Sequence, residues 1–167
     1  MENQFVGVWG LVDFSFCDIN ANVKFRPLGN KVGGLLIYTN DGFMSANLGS
    51  LERKPFKNND YRFGKNEEII EAYNNMISYS GEYQVNDNKK FIVHKINMSM
   101  FPNWIGQNVK RYFRIGNYNE IIGKKLDGNF NNVLLNEDIF LELSASTLLH
   151  NEELLTPKLI WQKLSRE

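Results

Sequence analysis

From Phe91 to Ile115 the chain alternates apolar and polar residues, breaks at Phe101-Pro102-Asn103-Trp104-Ile105-Gly106-Gln107, and then alternates again. Alternation with a period of two sends successive side chains to opposite faces of a strand, so each half has one greasy face and one wet face. In the first half Ile92, His94, Ile96, Met98 and Met100 share the apolar face, with Lys95, Asn97 and Ser99 opposite. In the second half Val109, Arg111, Phe113 and Ile115 form the apolar face, with Lys110, Tyr112 and Arg114 opposite. A hairpin of this kind must bury its apolar face, and His94 and Arg111 are carried inward with it.

The same alternation recurs in Val6–Phe16, Gly33–Thr39, Phe43–Leu48, Tyr79–Val85, Asn119–Gly123, Ile139–Leu143 and Leu159–Leu164. Many short strands at close spacing predict an all-β chain folded as an antiparallel up-and-down β-barrel. Asn40-Asp41-Gly42 and Asn86-Asp87-Asn88 supply residues that tolerate the backbone of tight hairpin turns, which makes consecutive strands neighbours. One main helix interrupts the strands: Asn66 caps it, Glu67 and Glu68 suit the positive end of its dipole, and Ile69, Ala72, Tyr73, Met76 and Ile77 form its apolar stripe. That stripe covers either the barrel flank or one open end. The segment Leu126–Pro157 is Asn-rich at its start, with a short helix expected near Leu148–Leu155. A length of 167 residues suits one barrel domain over 1–167.

Composition narrows the partners. Lys plus Arg and Asp plus Glu number 19 each, so no net field draws the chain to nucleic acid or to an anionic membrane surface. No run approaches the roughly 20 apolar residues that span a bilayer. The single Cys17 forms no internal disulfide, and the start MENQFVGVWG lacks the pattern of a signal peptide, so a cytoplasmic location is expected. One Cys and two His, His94 and His150, are too few for a metal site of the usual ligands, and no glycine loop cradles phosphate; neither metal nor cofactor is expected.

Trp9 on the inward face of the first strand places Leu11 and Asp13 inside with it. His94 is then an isolated imidazole among apolar neighbours, either a core histidine satisfied by a carbonyl or tyrosine, or a general acid or base. Arg111 needs a counter-charge or an aromatic face in that setting, and Asp13 is the obvious partner; the alternative is a ligand anion. Asn103 and Trp104 lie at the rim, where the indole either gates a ligand or seals the barrel end. Tyr38 and Tyr83 can offer hydroxyls to the lumen.

Gly7-Val8-Trp9, PLG at Pro27–Gly29, GLLIYTNDGFMSA at Gly34–Ala46, YSGEY at Tyr79–Tyr83, VHKINMSMFPNWIG at Val93–Gly106 and the closing Leu159-Ile160-Trp161 together resemble the bacterial lipocalin-like domain family. The resemblance implies a calycin-like barrel with an internal cavity, and His94, Asn103, Trp104 and Arg111 match its recurrent polar and aromatic positions. The Leu126–Pro157 stretch and Phe43 depart from the family pattern. The resemblance also implies a kinship with some distant relatives that act in natural-product pathways as cyclases or isomerases, where the cavity folds a substrate without a cofactor.

Two functions follow as expectations, beside a third reading of a closed barrel that holds no ligand and acts through its surface. The first is binding of a small hydrophobic molecule in the lumen, contacted by Trp9, Tyr38, Tyr83, His94, Met98, Met100, Asn103, Trp104, Arg111 and Phe113. The second is a cofactor-independent isomerase or cyclase acting on a hydrophobic, natural-product-like substrate, with His94 moving a proton and Arg111 stabilising an enolate-like oxygen. Pairing through an open strand edge would give a homodimer.

Overall fold

The structure is a computed structural model that describes residues 4–123 and 139–164. Its strands are β1 (Gly7–Cys17), β2 (Val23–Phe25), β3 (Val32–Tyr38), β4 (Phe43–Ser50), β5 (Met76–Asn86), β6 (Phe91–Ser99), β7 (Asn108–Gly116), β8 (Phe140–Ser144), β9 (Leu148–His150) and β10 (Glu153–Leu164). Neighbours pair antiparallel in the order β1-β3-β4-β5-β6-β7-β8-β10, and β10 pairs back onto β1 to close an eight-stranded barrel. The short β2 and β9 extend β1 and β10 at one end. The all-β, antiparallel, meandering barrel read from alternation is the architecture observed.

Side chains of the inward faces fill the barrel: Trp9, Leu11, Leu36, Tyr38, Ile92, Ile96, Phe113, Leu141 and Trp161 belong to one buried cluster. Phe5 packs against this interior at one end of the barrel. Phe5 sits edge-on to Phe113 at 4.8 Å and to Tyr38 at 6.3 Å, and its carbonyl accepts a 2.8 Å hydrogen bond from the Trp9 indole. Lys90 and Lys163 lie over the Phe113 and Trp9 rings at 5.5 and 5.3 Å, which adds cation–π attraction at the same end.

Two bulges decide which side chains enter the lumen, and both depart from strict alternation. In β1 the register steps at Val12: Leu11 faces Trp161, whereas Asp13 faces Ile160, so Asp13 turns to the face opposite Leu11. The expected inward Asp13 is therefore corrected. In β6 the extra residue is Asn97: Gly81 pairs with Ile96 while Ser80 pairs with Met98, and Met98 is thrown outward to 65% exposure. The expected inward Met98 and Met100 are corrected for the same reason: beyond Asn97 it is Ser99 that lies opposite the inward Tyr79. Gly81 belongs to this second bulge, since a β-carbon there would run into the Lys95 carbonyl oxygen.

Three other expectations are corrected by local chemistry. Asn119–Gly123 is not a strand but overlaps a short helix, α2 (Tyr118–Ile121), because the Asn117 side chain accepts from the Glu120 N–H at 3.1 Å and the Glu120 carboxylate accepts from the Asn117 N–H at 2.8 Å. That reciprocal capping outweighs a brief alternation. The helix expected near Leu148–Leu155 is the β9–β10 hairpin, turned at Asn151 and Glu152 with φ of 47° and 67°. The main helix, α1 (Asn66–Asn74), ends before Met76 and Ile77, which open β5; it follows Lys65, whose N–H donates to Glu68 at 2.8 Å. None of its side chains is buried, so α1 neither plugs the barrel nor buries a stripe on its flank. The Leu126–Pro157 segment is described only from residue 139 onward.

Replacing Gly81 by Ala should destabilise the barrel by about 3 kcal/mol or more, because the obstacle is backbone. Gly106→Ala, at φ +81° with open space around it, should cost about 1 kcal/mol. Urea denaturation of the two variants checks the order; equal losses would show that the close approach at Gly81 is not a constraint.

Candidate functional site

His94 is carried by β6 between Tyr83 of β5 and Val109 of β7, on the inward face, and is fully buried. Its Nε2 lies 2.7 Å from the Tyr38 hydroxyl and its Nδ1 lies 3.3 Å from the Tyr79 hydroxyl, so three strands meet in one polar trio. Burial, and then the charge of Arg111, lowers the imidazole pKa from 6.5 to about 3. The ring is neutral at physiological pH. Tyr38 is held well above the ordinary phenol range, chiefly by burial and then by Tyr79, with Arg111 opposing.

A neutral imidazole has one donor and one acceptor nitrogen. Tyr38 and Tyr79 therefore cannot both donate to it: one hydroxyl gives its hydrogen and the other receives one. This arrangement realises the core-histidine reading, with tyrosines as partners. It also leaves His94 with no ring nitrogen to offer a substrate while the trio is intact.

Arg111 lies across from the fully buried Ile92, on the face that carries Val109 and Phe113, and is half-buried. Its one hydrogen bond runs to the Lys110 carbonyl at 3.3 Å, and among the described residues no carboxylate pairs with it. The expected Asp13–Arg111 pair is corrected: the bulge turns Asp13 away, and its carboxylate takes the Arg26 Nε at 2.8 Å.

Trp9, Tyr38, Tyr83 and Phe113 are buried wall residues, the Tyr83 hydroxyl donating to the Thr39 carbonyl at 2.9 Å and its ring lying 4.6 Å from that of Tyr38. Met100 and Trp104 are half-buried and Asn103 is exposed at the barrel end away from Phe5, in the connection between β6 and β7. There Trp104 stands at 88° to Tyr79, with ring centres 5.6 Å apart. A mainly apolar hollow of about 280 Å³ opens beside it, lined by Tyr73, Ile77, Met100, Phe101 and Trp104 among others. Tyr79 thus joins the hollow to His94. Sequence reasoning missed Tyr79 as a site residue, although its spacing to Tyr83 on one strand face was the available signal. The described residues hold no metal-binding group of His, Cys, Asp and Glu.

The sequence signature of the lipocalin-like domain family matches residues 6–164. The chain belongs to this family. The 4'-hydroxy-3'-methoxypropiophenone carrier protein of Aspergillus oryzae is 31% identical over 62 residues, covering 34% of this chain and 56% of that protein. The match thus spans only about half of the relative's length. No solved structure matches the chain significantly. Among the described residues of this lipocalin-like barrel, no helix is long and apolar enough to cross a membrane.

The depressed pKa of His94 links stability to pH. Between about 3 and the ordinary 6.5 the unfolded chain binds a proton at this site that the native barrel does not, so native stability falls as pH falls through that window. The slope from this one group is at most about 1.4 kcal/mol per pH unit. His94→Gln, which keeps a donor and an acceptor for the two tyrosines, should remove that slope. Urea midpoints of both proteins from pH 7 to pH 4 measure it; parallel curves would mean that His94 protonates freely in the folded barrel.

Proposed function

We propose that this chain is a carrier that binds a small hydrophobic molecule, aromatic in character, at the open end of the barrel. The observation behind this reading is the apolar hollow at Trp104, whose indole stands on Tyr79 and through it on the buried His94. Pockets that bind small molecules are mostly apolar with a few converging polar groups, which describes this end. Phe5 and its lysine-covered neighbours occupy the other end, leaving the Trp104 end for entry. The fungal relative named as the carrier of a hydroxylated, methoxylated aryl ketone supports a ligand of the same general kind.

In this reading Met100 and Trp104 meet the ligand first and Asn103 stands at the rim. Tyr38, Tyr83, His94 and Arg111 supply polarity behind them, while Trp9 and Phe113 back the wall. Met98 has no part, because it faces outward. The isomerase or cyclase reading is weaker: it needs His94 to trade a proton with substrate, yet both ring nitrogens meet tyrosines and its basicity is far below that of a useful base near neutral pH. We read the chain as one barrel domain working in the cytoplasm.

Native mass spectrometry of freshly purified protein, followed by denaturing extraction, tests this reading. A stoichiometric small molecule, or uptake of a neutral aryl ketone by the empty protein, is the expected result. Trp104→Ala should weaken uptake about ten-fold or more, and Met98→Ala should leave it unchanged. Protein that arrives empty and takes up no small aromatic molecule, neutral or charged, would overturn the carrier reading.

A further inference from the structure

Among the described residues, several hydrogen-bond donors of the barrel interior lack a full set of acceptors. Arg111 projects from the inward face of β7 with a single carbonyl contact and no carboxylate among the described residues. Trp161, on the inward face of β10 opposite Leu11, is buried with no acceptor for its indole N–H. The trio adds a third donor: whichever tyrosine receives a hydrogen from His94, its own hydroxyl hydrogen remains unused, since among the described residues His94 is the one hydrogen-bond partner of the Tyr38 and Tyr79 hydroxyls. The carboxylate best placed in sequence to neutralise this interior, Asp13, is turned away by the bulge and held by Arg26.

A half-buried guanidinium and unused donors are costly to desolvate without acceptors, and the missing complement is negative and oxygen-rich. We propose that the carried molecule is an organic anion, a small aromatic acid ionised at neutral pH, whose charged oxygen is held by Arg111 while its ring lies towards Trp104. This inference rests on the carrier reading and adds the charge of the ligand to it. The polar trio favours the same sign. A neutral His94 brings no second positive charge, and burial keeps Tyr38 protonated rather than a competing anion at neutral pH. Arg111 is thus an inward-facing cation for an anion to meet, while Lys90 and Lys163 are engaged over the Phe113 and Trp9 rings at the Phe5 end.

Two fluorescent probes of nearly the same aromatic frame decide the matter: anilinonaphthalene sulfonate, which is anionic, and phenylnaphthylamine, which is neutral. The wild-type protein should bind the anionic probe about ten-fold to about hundred-fold more tightly than the neutral one, at low and at raised salt alike, because the anchor is sheltered from screening. Arg111→Met should abolish that preference while neutral-probe binding persists, Arg111→Lys should keep part of it, and Arg62→Met on the exposed surface should leave it intact.

Equal affinities in the wild type, a preference erased by salt, or one that survives Arg111→Met would each overturn the anchor while leaving the carrier reading standing. Failure of both probes to bind would overturn the carrier reading and the anchor with it. Circular dichroism verifies each fold; should Arg111→Met prove unfolded, the wild-type comparison and Arg111→Lys still decide.

Discussion

The seam between β1 and β10 is the constraint on which everything else depends. Their pairing runs from Val8 with Leu164 to Cys17 with Thr156 and turns a ten-stranded sheet into a closed wall. An open sheet would leave two strand edges and one apolar face needing cover; closure removes both needs at once, because the apolar faces cover each other. Once the wall closes, every inward residue is committed to the interior, polar ones included. His94 and Arg111 are inside for that reason alone, and their local chemistry is what the interior makes of them.

The interior treats the two differently. His94 is neutralised by loss of solvent and satisfied by two tyrosines, one from the neighbouring β5 and one from β3, which lies two strands further round the wall. Arg111 cannot lose its charge, since a guanidinium stays protonated at any accessible pH, so it must find compensation or keep contact with water. Its half-buried position is consistent with the second course. The same positive charge then discourages imidazolium at His94, and the polar trio and the guanidinium form one electrostatic unit rather than two.

Much of this was legible in the residues. Alternation located most strands, and it placed Trp9, Tyr38, Tyr83, His94, Arg111 and Phe113 on inward faces. What alternation could not convey is where it slips. A bulge adds one residue, and every side chain beyond it changes face. Asp13 and Met98 were misplaced by such steps, and neither Val12 nor Asn97 announces itself as the extra residue. Gly81 did carry a trace of the second bulge, because a strand interior rarely holds a glycine without a close approach. The 148–155 segment failed differently: its leucines suit either period, and only the positive φ at Asn151 and Glu152 resolves it as a hairpin.

The bulges also bear on why an unpaired arginine persists in a barrel wall. Had β1 kept strict alternation, Asp13 would share the inward face with Trp9 and Leu11, and an ion pair with Arg111 could have closed the interior electrostatically. The step at Val12 instead delivers Asp13 to Arg26 on the other face, where the carboxylate is still buried but already partnered. A single inserted residue thereby separates the interior cation from its most obvious counter-charge. A purely structural barrel gains nothing from that separation, since a half-buried charge without its partner is destabilising. A barrel that must receive an acceptor from outside needs it, because an internal carboxylate would compete for the same guanidinium.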